Sequence, residues 1–134
     1  MKQIVVATKA AILHDNRILL LTKSLEEQRE DQNTDNYDLP GGRLEYGEQP
    51  EVAIKREIKE ETGLSIDSVS LLTVESFIRK DGVQFVVIYY LATSSSDEVL
   101  LSKEHIVFNW VDLTDKMDLL PDWISKIIKK IKKF

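Results

Sequence analysis

Apolar and β-branched residues run from Ile4 to Leu13 and resume from Arg17 to Lys23. Between them stands His14-Asp15-Asn16, so the pattern predicts two strands joined by a tight turn. Ser24 to Asn36 is polar and acidic with no period and predicts a surface loop. Leu39-Pro40-Gly41-Gly42 interrupts regular structure. A helix is predicted from about Pro50 to Thr62, because proline suits a first helical position and Gly63 suits the residue just past the end. Leu71 to Arg79 and Val83 to Ala92 read as strands of a hairpin turning at Lys80-Asp81-Gly82. Ile106 to Val111 is a further short strand. Pro121 to Phe134 carries Ile124, Ile127, Ile128 and Ile131 at helical spacing. Strands interleaved with two helices predict a layered α/β domain, with helices covering a mixed sheet.

The chain has 134 residues, which suits a single domain over 1–134 with a core of its own. It contains no cysteine, which removes disulfides, thiolate metal sites and cysteine nucleophiles. The apolar run at the N-terminus is too short for a signal peptide, and none approaches the ~20 residues of a membrane span. A cytoplasmic protein is expected. The net charge of −5 opposes stable binding to a nucleic-acid backbone, but not binding of a small phosphate compound through a cation. Lys126, Lys129, Lys130, Lys132 and Lys133 oppose the isoleucines of the last helix. They are read as complementing the helix C-terminus while the isoleucines pack on the sheet, not as a membrane-binding face.

Glu57, Glu60 and Glu61 carry the chemical signal. At 100° per residue they share an arc of roughly 100° on the predicted helix. Glu57 and Glu61 are a like-charged i, i+4 pair costing ~0.2–0.5 kcal/mol, and the helix C-terminus disfavours anions by a further ~0.3–1 kcal/mol. A bound divalent cation reverses the sign of both effects. With no cysteine and no evident histidine partner, oxygen ligands point to Mg²⁺ or Mn²⁺ before zinc. Without the flanking residues, the same helix reads equally well as a solvated acidic face balanced by Lys55, Arg56 and Lys59.

The flanks favour a site. Four of the five glycines, Gly41, Gly42, Gly47 and Gly63, surround this helix, and Gly41-Gly42 permits close approach of backbone to a ligand. Gly42-x5-Glu48-x7-Arg56-Glu57-Ile58-x-Glu60-Glu61-x-Gly63-Leu64, led in by Leu39-Pro40-Gly41, resembles the Nudix box at every fixed position. The resemblance implies an α/β/α sandwich and a pyrophosphohydrolase. It implies one to three divalent cations, Mg²⁺ or Mn²⁺, held by Glu57, Glu60, Glu61 and a backbone carbonyl at Gly41 or Gly42. Arg56 would orient Glu57 or Glu48, and Glu48 would reach the substrate or brace its loop. A further acid from a later loop is expected among Asp97, Glu98, Glu104 and Asp112, with Glu104 favoured by its spacing before Trp110. His105 beside it is read as structural or exposed.

The substrate implied is a small molecule containing a nucleoside diphosphate linked to another moiety, such as a nucleoside triphosphate or nucleotide sugar. Water attacks phosphorus, and Glu60 or Glu57, ranked ahead of Glu104, accepts the proton. Arg43 is the favoured substrate contact. Arg17, Lys23 and Arg79 are further cations, and Tyr37, Tyr46, Phe85 and Tyr89 are rings able to stack on a base, although plain surface charge and core or rim packing are the preferred readings of each. Homodimers are common in the family. Two other readings compete: a catalytically silent nucleotide-binding regulator on the same fold, and an isomerase, which the missing cysteine disfavours.

Overall fold

The computed structural model describes residues 2–30, 35–114 and 119–134. Strands β1 (Ile4–His14) and β2 (Arg17–Lys23) form the first hairpin. Helix α1 (Leu25–Glu30), strand β3 (Tyr37–Asp38) and strand β4 (Gly41–Arg43) come next. Helix α2 (Pro50–Thr62) precedes β5 (Val69–Ile78), β6 (Gln84–Thr93), β7 (His105–Asp112) and α3 (Asp122–Lys133). The seven strands make one mixed sheet. β1 runs parallel to β6 along its length, while β5–β6, β2–β7, β2–β3 and β1–β4 are antiparallel.

Alternation along β1 and β2 builds two cores. Ala10, Ile12, Leu19 and Leu21 face α2 through Ile54 and Ile58. Ala11, Ile18 and Leu20 point to the opposite face and meet Ile124, Ile127, Ile128 and Ile131 of α3. The period-2 strands and two 3.6-period helices therefore stack as an α/β/α sandwich. The isoleucine stripe of α3 is buried, while Lys126 on its other side pairs with Glu75 at 3.2 Å. No helix among the described residues is long and apolar enough to cross a membrane.

One expectation is corrected. The stretch from Ser24 to Asn36 is not all loop: Leu25–Glu30 is helical, with the Ser24 hydroxyl accepting the Glu27 N–H at 3.2 Å as a cap. A single capped turn needs no apolar period, so the hydrophobic pattern misses it. Residues 31–34 of that predicted loop lie outside the described residues.

The β1–β2 turn places Asp15 and Asn16 at φ 48° and 61°, both in the left-handed region that a two-residue hairpin demands. Glycine occupies that region without a Cβ penalty. Asn16→Gly is expected to stabilise the protein by about 0.5 kcal/mol, read as a higher urea midpoint. A lower midpoint would contradict this turn geometry.

Candidate metal and phosphate site

The chain enters the site through two glycines. β4 pairs with β1 so that Gly41 stands opposite Lys9 and Gly42 opposite Thr8. α2 crosses beside this strand and ends at Gly63, whose φ of 74° lets its N–H reach the Lys59 carbonyl. Ile54 and Ile58 anchor the helix on the sheet, and that anchoring fixes the directions of the glutamates between them and Gly63.

The three helix glutamates meet three environments. Glu61 is buried, with 3% of its side chain exposed, and one oxygen (Oε2) accepts the Gly41 N–H at 2.6 Å. Burial pushes its carboxyl up to about 9, with Lys9 opposing and Asp38 and Glu57 adding to the rise. Glu57 is largely buried against Gly42, and a Cβ there would stand 2.7 Å from Glu57 Oε1. Burial raises its carboxyl too; Arg56 opposes this, while Glu60 and Glu104 add repulsion. Glu60 is mostly solvent-exposed.

Arg56 ties this face together. Its Nε and Nη2 donate to the two oxygens of Glu48 at 2.8 and 3.1 Å, and Nη1 donates to Glu57 at 3.1 Å and Glu60 at 3.2 Å. Glu48 is held below the usual carboxylate range by Arg56 and also accepts the Glu45 N–H. Glu48 thus braces the loop before α2 and is not part of the cleft lining. A planar fork serves several carboxylates at once, whereas an ammonium is a point charge. Arg56→Lys is therefore expected to lower kcat about 10–100-fold through misplacement of Glu57 and Glu60, with KM nearly unchanged. Steady-state kinetics would decide it; an unchanged kcat would show that the fork does not position them.

Among the four later acids, the structure brings Glu104 to the cluster. Its carboxylate, one from Glu61 and a ring nitrogen of His105 lie within 4.8 Å of one another. Asp97 pairs with Arg17 at 3.4 Å, Asp112 caps Thr114, and neither these nor Glu98 lines the cleft. Of the two readings of His105, structural or exposed, the structure has the first. It is buried at the start of β7, delivered by the β2–β7 pairing, and belongs to a network that the sequence reading missed. Lys9 Nζ donates to Asp38 at 2.8 Å and to the Leu39 carbonyl at 3.2 Å, and His105 Nε2 lies 2.9 Å from the second Asp38 oxygen. Burial alone would raise Asp38, but Lys9 and His105 outweigh it and hold the carboxyl below its ordinary range. The available signal was a lone lysine inside an otherwise apolar strand, a residue that is rarely buried unless paired.

A cleft of about 780 Å³ opens beside the cluster. Arg43, Arg79 and Phe85 form one part of its wall: both guanidinium groups lie over the Phe85 ring, at 5.6 and 4.7 Å, and Phe77 stacks on it at 5.6 Å. Lys23, Tyr37 and Tyr89 also line it, whereas Arg17 and Tyr46 do not. Carboxylates crowded and desolvated beyond what Lys9 and Arg56 compensate, with an unpartnered buried nitrogen at His105, form a donor set that fits a divalent cation.

The chain belongs to the NUDIX family: the NUDIX domain model matches residues 4–131. A Bacillus subtilis protein named as an uncharacterized Nudix hydrolase is 28% identical over 116 residues, covering 84% of this chain and 68% of that protein. An ADP-ribose pyrophosphatase of Methanocaldococcus jannaschii is 42% identical over 76 residues, covering 57% of this chain and 42% of that protein. A crystal structure of a MutT NUDIX hydrolase from Burkholderia pseudomallei superposes with a TM-score of 0.79 at 29% identity, covering 97% of this chain and 99% of that one. The chain spans between 24% and 68% of the length of the curated relatives it matches. Nudix hydrolases generally use a divalent metal.

Proposed function

We propose that this protein hydrolyses a pyrophosphate bond in a nucleoside diphosphate linked to another moiety, with Mg²⁺ as its cation and Mn²⁺ as a substitute. The observation that carries this reading is the meeting of Glu61, Glu104 and His105 beside the Gly41-Gly42 turn, with Glu57 set against Gly42 next to them, at a cleft also lined by Arg43 and Arg79. Glu57, Glu60 and Glu61, with the carbonyl of Gly42, are the residues that would hold one to three ions. A divalent cation there neutralises phosphate charge and lowers the pKa of water. The chain's own residues do the rest. Arg56 fixes the carboxylates, and Arg43, held over Phe85, offers a cation to the substrate. Glu57 and Glu60 are the two candidate bases. The water oxygen bonds to phosphorus, the bridging P–O bond breaks, the proton passes to a carboxylate, and two phosphate products leave.

Purified protein with Mg²⁺ is expected to cleave at least one compound in a panel of nucleoside triphosphates, oxidised nucleotides, ADP-ribose, nucleotide sugars and dinucleoside polyphosphates, and to lose that activity in EDTA. ADP-ribose enters the panel because of the archaeal relative's name. Inactivity throughout, with tight binding of one compound, would replace the hydrolase by a catalytically silent nucleotide-binding regulator.

A further inference from the structure

Glu61 and His105 face each other in a way the hydrolase reading leaves unexplained. The His105 ring is 2% exposed, and its Nδ1 is a buried polar atom with no hydrogen-bond partner among the described residues. Nδ1 lies 3.8 Å from Glu61 Oε1, too far for a hydrogen bond. The other two contacts are fixed: Glu61 Oε2 holds the Gly41 N–H, and His105 Nε2 lies 2.9 Å from Asp38. Asp38, paired on its far side with Lys9 at 2.8 Å, is the acceptor that faces Nε2, so the tautomer with its proton on Nε2 satisfies this contact. The Nδ1 lone pair is thereby left free and aimed at the carboxylates.

A carboxylate that orients one ring nitrogen while the other points at acidic oxygens is the usual support of a histidine metal ligand. We propose that His105 Nδ1, Glu61 Oε1 and the Glu104 carboxylate form a nitrogen-containing cation position in the substrate-free protein, one suited to Mn²⁺, Co²⁺ or Zn²⁺. It rests on the reading that Glu61 faces a cation. The three ligand atoms lie within 4.8 Å of one another. With tetrahedral ligand bonds of about 2.1 Å, neighbouring donors would stand about 3.4 Å apart, so a small swing closes the set. Glu104 is exposed and can supply that swing, while His105 and Glu61 are held by the sheet and by Gly41. Imidazole suits Zn²⁺ and Co²⁺, and Mn²⁺, although it also takes oxygen ligands, accepts a nitrogen more readily than Mg²⁺ does. The site would therefore treat its cations unequally: Mg²⁺ at the carboxylates of Glu57 and the exposed Glu60, a borderline ion at the end held by Glu61 and His105.

Pulsed electron paramagnetic resonance of the full chain with Mn²⁺ alone, without substrate, tests this. Nitrogen modulation of the Mn²⁺ signal is expected, changing character when histidine is labelled with ¹⁵N. It should persist in His14→Gln, whose ring instead meets the Ser94 carbonyl, and vanish in His105→Gln along with a loss of about 10–100-fold in Mn²⁺ affinity. The labelled wild-type spectrum is decisive even if His105→Gln folds poorly. Bound Mn²⁺ showing oxygen and water coupling only overturns the inference and leaves the hydrolase reading standing. An absence of Mn²⁺ binding overturns it as well. Nitrogen coupling in a protein inactive across the substrate panel would keep this site and remove the hydrolase.

Discussion

Glu57→Gln and Glu60→Gln are each expected to lower kcat/KM on the best substrate by about 10²–10⁴-fold, the range typical of removing a general base. Glutamine keeps the shape and one acceptor oxygen but loses the negative charge, so the change isolates electrostatics from packing. The two should differ in kind. Glu57 is desolvated, wedged against Gly42 and tied to Arg56, so its loss should also weaken the apparent Mg²⁺ affinity. Glu60 is mostly exposed and held by one contact at 3.2 Å, so its replacement should leave folding stability unchanged within ~0.5 kcal/mol. Kinetics at several Mg²⁺ concentrations would separate the effects. If both variants match the parent within threefold, the carboxylate face of α2 is not the working site.

How much of this was readable in the chain follows from the range of each signal. Pro50–Thr62 was legible to the residue because proline and glycine mark its ends and Ile54 and Ile58 mark its buried side. The β1–β2 hairpin and the Asp81-Gly82 hairpin were legible for the same local reason. β3 and β4, of two and three residues, are too short to show a period and exist because β2 and β1 offer open edges. The Glu57, Glu60 and Glu61 face was visible because helical geometry alone brings residues three and four apart together. The Lys9–Asp38–His105 network was not, since its members stand 29 and 67 residues apart and meet only after the sheet has formed. His105 therefore read as an isolated histidine, although its nitrogen lies among the acids.

Gly41→Ala is expected to remove a large part of the folding stability, and the neighbouring Gly42→Ala very little. The glycine pair was read as permitting approach to a ligand, yet the two residues answer to different neighbours. Gly41 has φ 147°, and a Cβ on it would collide with the Thr8 carbonyl oxygen and stand 2.8 Å from the Lys9 Cα. Those atoms are the backbone of the central strand and cannot move without opening the β1–β4 ladder. Backbone strain and overpacking each cost roughly 1–3 kcal/mol, against a total stability of about 5–15 kcal/mol for a typical domain. A Cβ on Gly42 meets instead the end of the Glu57 side chain, 2.7 Å away, which can rotate aside. That rotation costs about 1 kcal/mol or less but takes the carboxylate from its place, and a 1 Å misplacement costs about 10²-fold in rate. Urea denaturation and steady-state kinetics on the two variants should therefore give opposite patterns: Gly41→Ala poorly folded, Gly42→Ala folded but slow. A Gly42→Ala protein with full activity would show that Glu57 does its work from some position other than the one beside this turn.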